Sequence, residues 1–192
     1  MSTGWRRFPA APRFTAVAGL LTGAAGAIVY WASTQIWPAS IGVVLAMLIM
    51  SVLSGRTAMA EFGAVGVIFA LLAKYNALMA LSAASLPYRL PANAALGLIM
   101  MAALAASRAL ALSARPVANV DLGIALTLGF APALLLGLPG LIGLAAAIAA
   151  LLAVTAASRL SGKRTAVENT SVLEEITEIC FYLGALAAWA YI

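Results

Sequence analysis

The sequence predicts an all-α, polytopic membrane protein with about seven transmembrane helices, a single integral membrane domain over 1–192, and a cytoplasmic N-terminus. Three observations carry that prediction. Mean hydropathy is +1.07 and only 9% of the 192 residues are charged, against about a quarter in soluble domains. Apolar runs of about 20 residues recur along the chain, and a segment in lipid must close its backbone hydrogen bonds within itself. The basic residues, finally, segregate between alternate connections as positive-inside topology requires.

Taken in order, Met1 to Pro12 is short and basic, with Arg6, Arg7 and then Arg13 before a first span at about 14–33. No cleavable signal peptide is expected, because that run is itself long enough to span. Trp31 and Trp37 flank its far end, where indole favours the membrane interface. A second span, about 38–54, opens on Pro38, a residue suited to the first turn of a helix. The polar link from Ser54 to Glu61 carries Arg56. The third span, about 62–83, holds Lys74 near its middle, and Ser85 to Pro91 reads as a loop with two prolines. A fourth span covers about 93–112, with Arg108 near its end and Arg115-Pro116 just beyond. The fifth, about 118–136, has Asp121 in its first turn. Leu138-Pro139-Gly140 is expected to turn the chain into a sixth span at about 141–158, and the seventh covers about 172–192. Gly and Ala are abundant throughout, so the helices can pack closely.

With a cytoplasmic N-terminus, Arg6, Arg7, Arg13, Arg56, Arg108, Arg115, Arg159, Lys163 and Arg164 all fall inside. Only Arg89 falls outside, and Lys74 lies in the membrane. The net charge of +5 therefore expresses topology. Nucleic-acid binding is not expected, since no basic stripe interleaves with aromatics. One cysteine and no histidine argue against a disulfide framework, a zinc site or His-ligated haem. Cys180 and the methionines Met47, Met50, Met100 and Met101 read as packing residues.

The charge collects in one stretch, Ser161 to Gly184. It holds four of the six acids, Glu168, Glu174, Glu175 and Glu178. Arg159, Lys163 and Arg164 are beside them. In the predicted topology, this stretch and Glu61 share the cytoplasmic side with Arg108, so a mouth lined with both signs could bind a metal and an anionic substrate. Glu174, Glu175 and Glu178 are three and four apart, neighbours on one helix face. Unpaired like charges at that spacing repel, which favours a cation or a basic partner. Oxygen ligands without His or Cys suit a hard ion such as magnesium. The other reading is that the acids stabilise the helix N-terminus through its dipole, with Thr170 or Ser171 as cap. That reading suits Glu174 better than Glu178, which lies farther inside the span and is costly there unless paired. Lys74 either meets a carboxylate on another helix or snorkels to an interface. Arg108 could also snorkel, and Asp121 sits where the helix dipole favours it.

Four stretches resemble the cobalamin synthase family, adenosylcobinamide-GDP ribazoletransferase. They are the Gly-rich first span around Ala18-Gly19 to Gly23; Gly63-Ala64-Val65-Gly66-Val67 with Leu72-Ala73-Lys74-Tyr75 downstream; Ser107-Arg108 in a middle helix; and the charged stretch. In the last, Glu168 falls at an aspartate of the family pattern, Ser171 at its glycine, and Thr177-Glu178 at its Thr-Glu pair. The resemblance implies an integral enzyme of the bacterial cytoplasmic (inner) membrane that joins an activated corrinoid to α-ribazole with magnesium. It implies a metal held by Glu168, Glu174 and Glu178 with Glu61, charge on the leaving phosphate offset by Lys74 and Arg108, and substrate met by Arg159, Lys163 and Arg164. The chain departs from the family in lacking its Asp-rich cytoplasmic loop, and Met59-Ala60-Glu61 stands where Asp-Ser-Arg is usual. That departure motivates an alternative: a catalytically inactive relative serving as a structural or accessory subunit, with partner membrane subunits or as a homo-oligomer. A small transporter is a third reading, with Lys74 and the break at Pro139-Gly140 in its favour.

Overall fold

The computed structural model describes residues 12–54, 63–83, 92–160 and 170–190. Glu61, Lys163, Arg164 and Glu168, expected at the site, and Arg6, Arg7, Arg56 and Arg89 of the predicted topology lie outside the described residues. After a single 3-10 turn, Pro12–Phe14, the described chain forms seven α-helices and no strand. These are α1 (Thr15–Thr34), α2 (Ala39–Ser54), α3 (Gly63–Ala83), α4 (Ala92–Ser113), α5 (Asn119–Leu135), α6 (Leu138–Leu160) and α7 (Thr170–Ala190).

Four stretches are long and apolar enough to cross a membrane: Pro12–Thr34, Val65–Ala83, Ala94–Ser113 and Leu138–Leu160. Helices α2 and α5 are apolar but shorter, at 16 and 17 residues, and α7 carries three carboxylates in its first half. The outward faces are what lipid contact requires. Leu21, Ile28, Leu48, Val65, Phe69 and Leu152 are all exposed, and Trp31 and Trp37 are exposed at the far end of α1.

One boundary differs from the sequence expectation. The turn before the sixth helix falls at Leu136-Gly137, and Leu138, Pro139 and Gly140 are already helical. Gly137 has φ 65°, the left-handed conformation that ends helices at low cost only for glycine. Its amide donates back to the carbonyl of Leu134 at 3.1 Å. Proline at the start of α6 needs no amide partner there, so Pro139 opens the helix where it was expected to break one. Gly140 lets α5 and α6 close up: a Cβ there would run into the Ala133 carbonyl oxygen.

The bundle is built around α4, of which 83% is buried. Its inner residues are mostly small (Ala102, Ala103, Ala105, Ala106, Ala109), so neighbouring backbones approach it closely. Gly19 of α1 rests on the Leu104 carbonyl, with no room for a Cβ, which would lie 2.5 Å from its oxygen. Helices α6 and α7 are antiparallel and interlock in the same way, Gly143 under the Phe181 carbonyl and Gly184 under the Ile142 carbonyl. Such small-residue contacts replace hydrophobic driving force, which is absent between helices in lipid. Of the four methionines expected to pack, Met47, Met50 and Met100 are buried and Met101 is half-buried.

Helix α3 is the least buried of the four candidate spans, at 22%. It turns Lys74, Ala77, Leu78 and Leu81 inward, the i, i+3/i+4, i+7 stripe of a helix with one buried face. Lys74 is the charged member of that stripe.

Candidate functional site

The site lies where α7 meets α3 and α4. Helix α7 begins at Thr170, so its first turn contains no acid. The helix dipole acts mainly within that first turn, and Glu174, Glu175 and Glu178 lie beyond it. The expectation that the dipole accounts for Glu174 therefore gives way to an account by ion pairs.

Lys74 does not snorkel. It is 5% exposed, and its Nζ lies 2.9 Å from Oε1 of Glu175 and 2.9 Å from Oε1 of Glu178. The partner expected on another helix is thus two carboxylates one turn apart on α7. Glu178 is fully buried, and the same Oε1 also accepts a 3.0 Å hydrogen bond from the hydroxyl of Tyr182, four residues on. An ionised side chain so placed is tolerated only when paired, and Glu178 is paired twice through one oxygen.

Arg108 of α4 donates from Nη2 to Oγ of Ser54, the last residue of α2, at 3.1 Å. Its Nε stands 3.9 Å from Oε2 of Glu174. Two turns further along α4 and just past its end, Arg115 donates to the Thr170 hydroxyl oxygen at the start of α7. These contacts tie α2 and α4 to the end of α7 that α3 holds through Lys74. The hydroxyls of Thr177 and Ser107 turn back on their own helices, to the Leu173 carbonyl at 2.7 Å and the Leu104 carbonyl at 3.2 Å, and take no part in the ion pairs. Arg159 is exposed in the last turn of α6, where the carbonyl end of the dipole favours a cation.

Of the predicted residues, the fold brings together Lys74, Arg108, Glu174 and Glu178, with Glu175 between them. Ser54, Arg115 and Tyr182 belong to the same region and were not anticipated. Tyr182 had one signal in the sequence, its i+4 spacing from Glu178. Ser54 and Arg115 had none, because their roles depend on which helix ends come together.

No group of three His, Cys, Asp or Glu among the described residues could hold a metal ion. The carboxylates of α7 instead face cations: Glu175 and Glu178 face Lys74, and Glu174 faces Arg108. By themselves these three carboxylates do not fit a magnesium ion, and the other expected ligands, Glu61 and Glu168, lie outside the described residues. What it can do is bind α3, α4 and α7 to one another and present guanidinium groups at the rim of the bundle. Compared with protein-family models, with curated proteins and with solved structures, the chain matches none.

Proposed function

We propose that the chain is a reduced membrane transferase of the cobalamin synthase type. In this reading it passes the adenosylcobinamide phosphate moiety from its GDP-activated form to α-ribazole at the cytoplasmic face of a bacterial inner membrane. One observation carries the reading. Three stretches that resemble that family, Leu72 to Tyr75, Ser107-Arg108 and Thr177-Glu178, lie far apart in the sequence on α3, α4 and α7. They converge on the two ion-paired contacts made by α7, Lys74 with Glu175 and Glu178, and Arg108 with Glu174. Convergence of all three is what a shared site requires.

The orientation belongs to the same reading. Arg13, Arg108, Arg115 and Arg159 lie toward the end of the bundle where α1 and α7 start and α4 and α6 finish. Positive-inside statistics put such an end in the cytoplasm, and seven crossings follow if α2, α5 and α7 also span.

Arg108 is then the residue that meets charge developing on the phosphate. Lys74, held between two carboxylates, is a positioning residue that keeps α3 on α7. Because the α7 carboxylates are engaged by cations, the expected metal ligands left to meet an ion carried by the diphosphate are Glu61 and Glu168, which lie outside the described residues.

The test is a ribazoletransferase assay on membranes containing the protein, with adenosylcobinamide-GDP, α-ribazole and magnesium, against empty membranes. Product above background is expected. No product from protein shown to be inserted and folded overturns the reading. A second reading, an inactive relative serving as a structural or accessory subunit, is favoured by the closure of Glu178 under Lys74 and Tyr182. Purification as a monomer with full turnover and no partner would dispose of it.

A further inference from the structure

We propose that the cleft between the start of α1, the end of α4 and the start of α7 is a phosphate subsite, with Arg115 as its principal ligand. The cleft is lined by Thr15, Arg108, Arg115, Thr170 and Glu174 over a floor that includes Ala111. It rests on the transferase reading only for the identity of its natural ligand, a diphosphate. The binding itself follows from the lining.

Four features of that lining attract an anion. Arg108 lies on α4 and Arg115 two residues past its end, and both line this one cleft, so a phosphate at its mouth can meet both. Buried Ala111 forms the floor between them. Guanidinium groups match phosphate oxygens in a planar, two-pronged geometry.

The other two features are helix ends. Thr170 is the first residue of α7 and Thr15 the first of α1. The first amides of a helix have no intrahelical carbonyl to bond, and their end of the dipole is positive. Helix α1 follows directly on the 3-10 turn Pro12–Phe14, and the Thr15 hydroxyl donates to the Pro12 carbonyl at 2.8 Å, so that end contributes its dipole and not a free hydroxyl. The Thr170 hydroxyl oxygen accepts from Arg115, which leaves its proton free to be given to a ligand. Two helix starts and two arginines thus surround one opening.

Among the described residues Glu174 is the lining group of opposite charge, and Arg108 stands 3.9 Å from it. Arg108 is also bonded to Ser54, so the more exposed Arg115 carries the binding. Arg115 is exposed and keeps donors beyond the one it gives Thr170, since a guanidinium carries five. A phosphate could arrive here as a soluble diphosphate or as the headgroup of an anionic lipid in the surrounding leaflet. Both present the same oxygens.

The experiment reads binding and leaves turnover aside. The full-length protein in nanodiscs of phosphatidylcholine is titrated with inorganic diphosphate at constant ionic strength, and separately placed in discs containing phosphatidylglycerol. Saturable diphosphate binding, weakened about tenfold or more in Arg115→Gln and largely kept in Arg115→Lys, is the expected result. Retention of phosphatidylglycerol that Arg115→Gln abolishes, without diphosphate binding, assigns the subsite to a lipid headgroup. Binding unchanged in a folded Arg115→Gln protein overturns the proposal, as does wild-type protein that binds neither probe. If Arg115→Gln does not fold, Arg115→Lys and the wild-type titration still decide. Diphosphate binding without ribazoletransferase turnover leaves the subsite standing while the transferase reading falls, and turnover without any such binding does the reverse.

Discussion

The ammonium of Lys74 lies 2.9 Å from Oε1 of Glu178, and neither side chain reaches the surface of the bundle beyond a few per cent. Each charge is acceptable in that interior because of the other. Glu175 makes the contact a fork, and Tyr182 shares the same carboxylate oxygen.

Removing the cation should therefore cost more than removing the whole group. Lys74→Met is expected to destabilise the protein by about 3–5 kcal/mol, the usual cost of leaving one partner of a buried pair alone. The triple variant Lys74→Met, Glu175→Gln, Glu178→Gln should recover most of that loss. Thermal unfolding in detergent measures both, and a Lys74→Met protein that melts like wild type would contradict the buried pair.

Tyr182→Phe takes away a single donor and should cost about 1–2 kcal/mol. Its effect should shrink in a Glu178→Gln background, because residues that share one hydrogen-bond network are not additive. A double-mutant cycle on melting temperature or detergent resistance checks this. Strict additivity would place the hydroxyl outside the network.

Two glycines should respond in opposite directions. Gly19→Val would press side-chain atoms into the Leu104 carbonyl, where even a Cβ would come within 2.5 Å. We expect α1 to part from α4 and the protein to lose detergent stability. Gly123 of α5 faces open space, with nothing within 4 Å of where an alanine methyl would sit. Gly123→Ala should therefore be neutral or stabilising by up to about 1 kcal/mol, from helix propensity alone. Melting of the two variants in the same detergent checks both signs.

If the transferase reading holds, Arg108→Gln should lower kcat about a hundredfold, the scale of removing one group that stabilises transition-state charge. Glu174→Gln, which loosens Arg108 without removing it, should change the rate far less. Steady-state assays on membranes with equal amounts of inserted protein separate the two. Equal losses would point to a shared structural role.

The helices were legible because lipid demands apolar runs, and runs of that length are visible without a structure. The start of α6 was not, since Pro139 opens a helix as readily as it ends one. Only the backbone of Gly137 shows which role applies. The acids at 174, 175 and 178 announced a face that needed a cation, and Lys74 announced a cation that needed an acid. Nothing local said that these needs answer each other, because that depends on α3 lying against α7. Tyr182 and Arg115 were missed for the same reason: each looks ordinary on its own helix and gains a role only from its neighbours.

The burial of Lys74 also sets a timetable for making the protein. Its partners are about a hundred residues further along the chain, so at roughly 5–20 residues per second the ribosome delivers α3 some 5–20 s before α7. Throughout that interval the lysine has no Glu175 or Glu178 to meet, at a cost of about 2.5–3.5 kcal/mol on the insertion scale. The third helix must wait, at the insertion machinery or high in the leaflet, until α7 is made and docks. Helix α7 is thus the keystone of assembly, and nascent chains halted before it should be the ones that quality-control proteases remove.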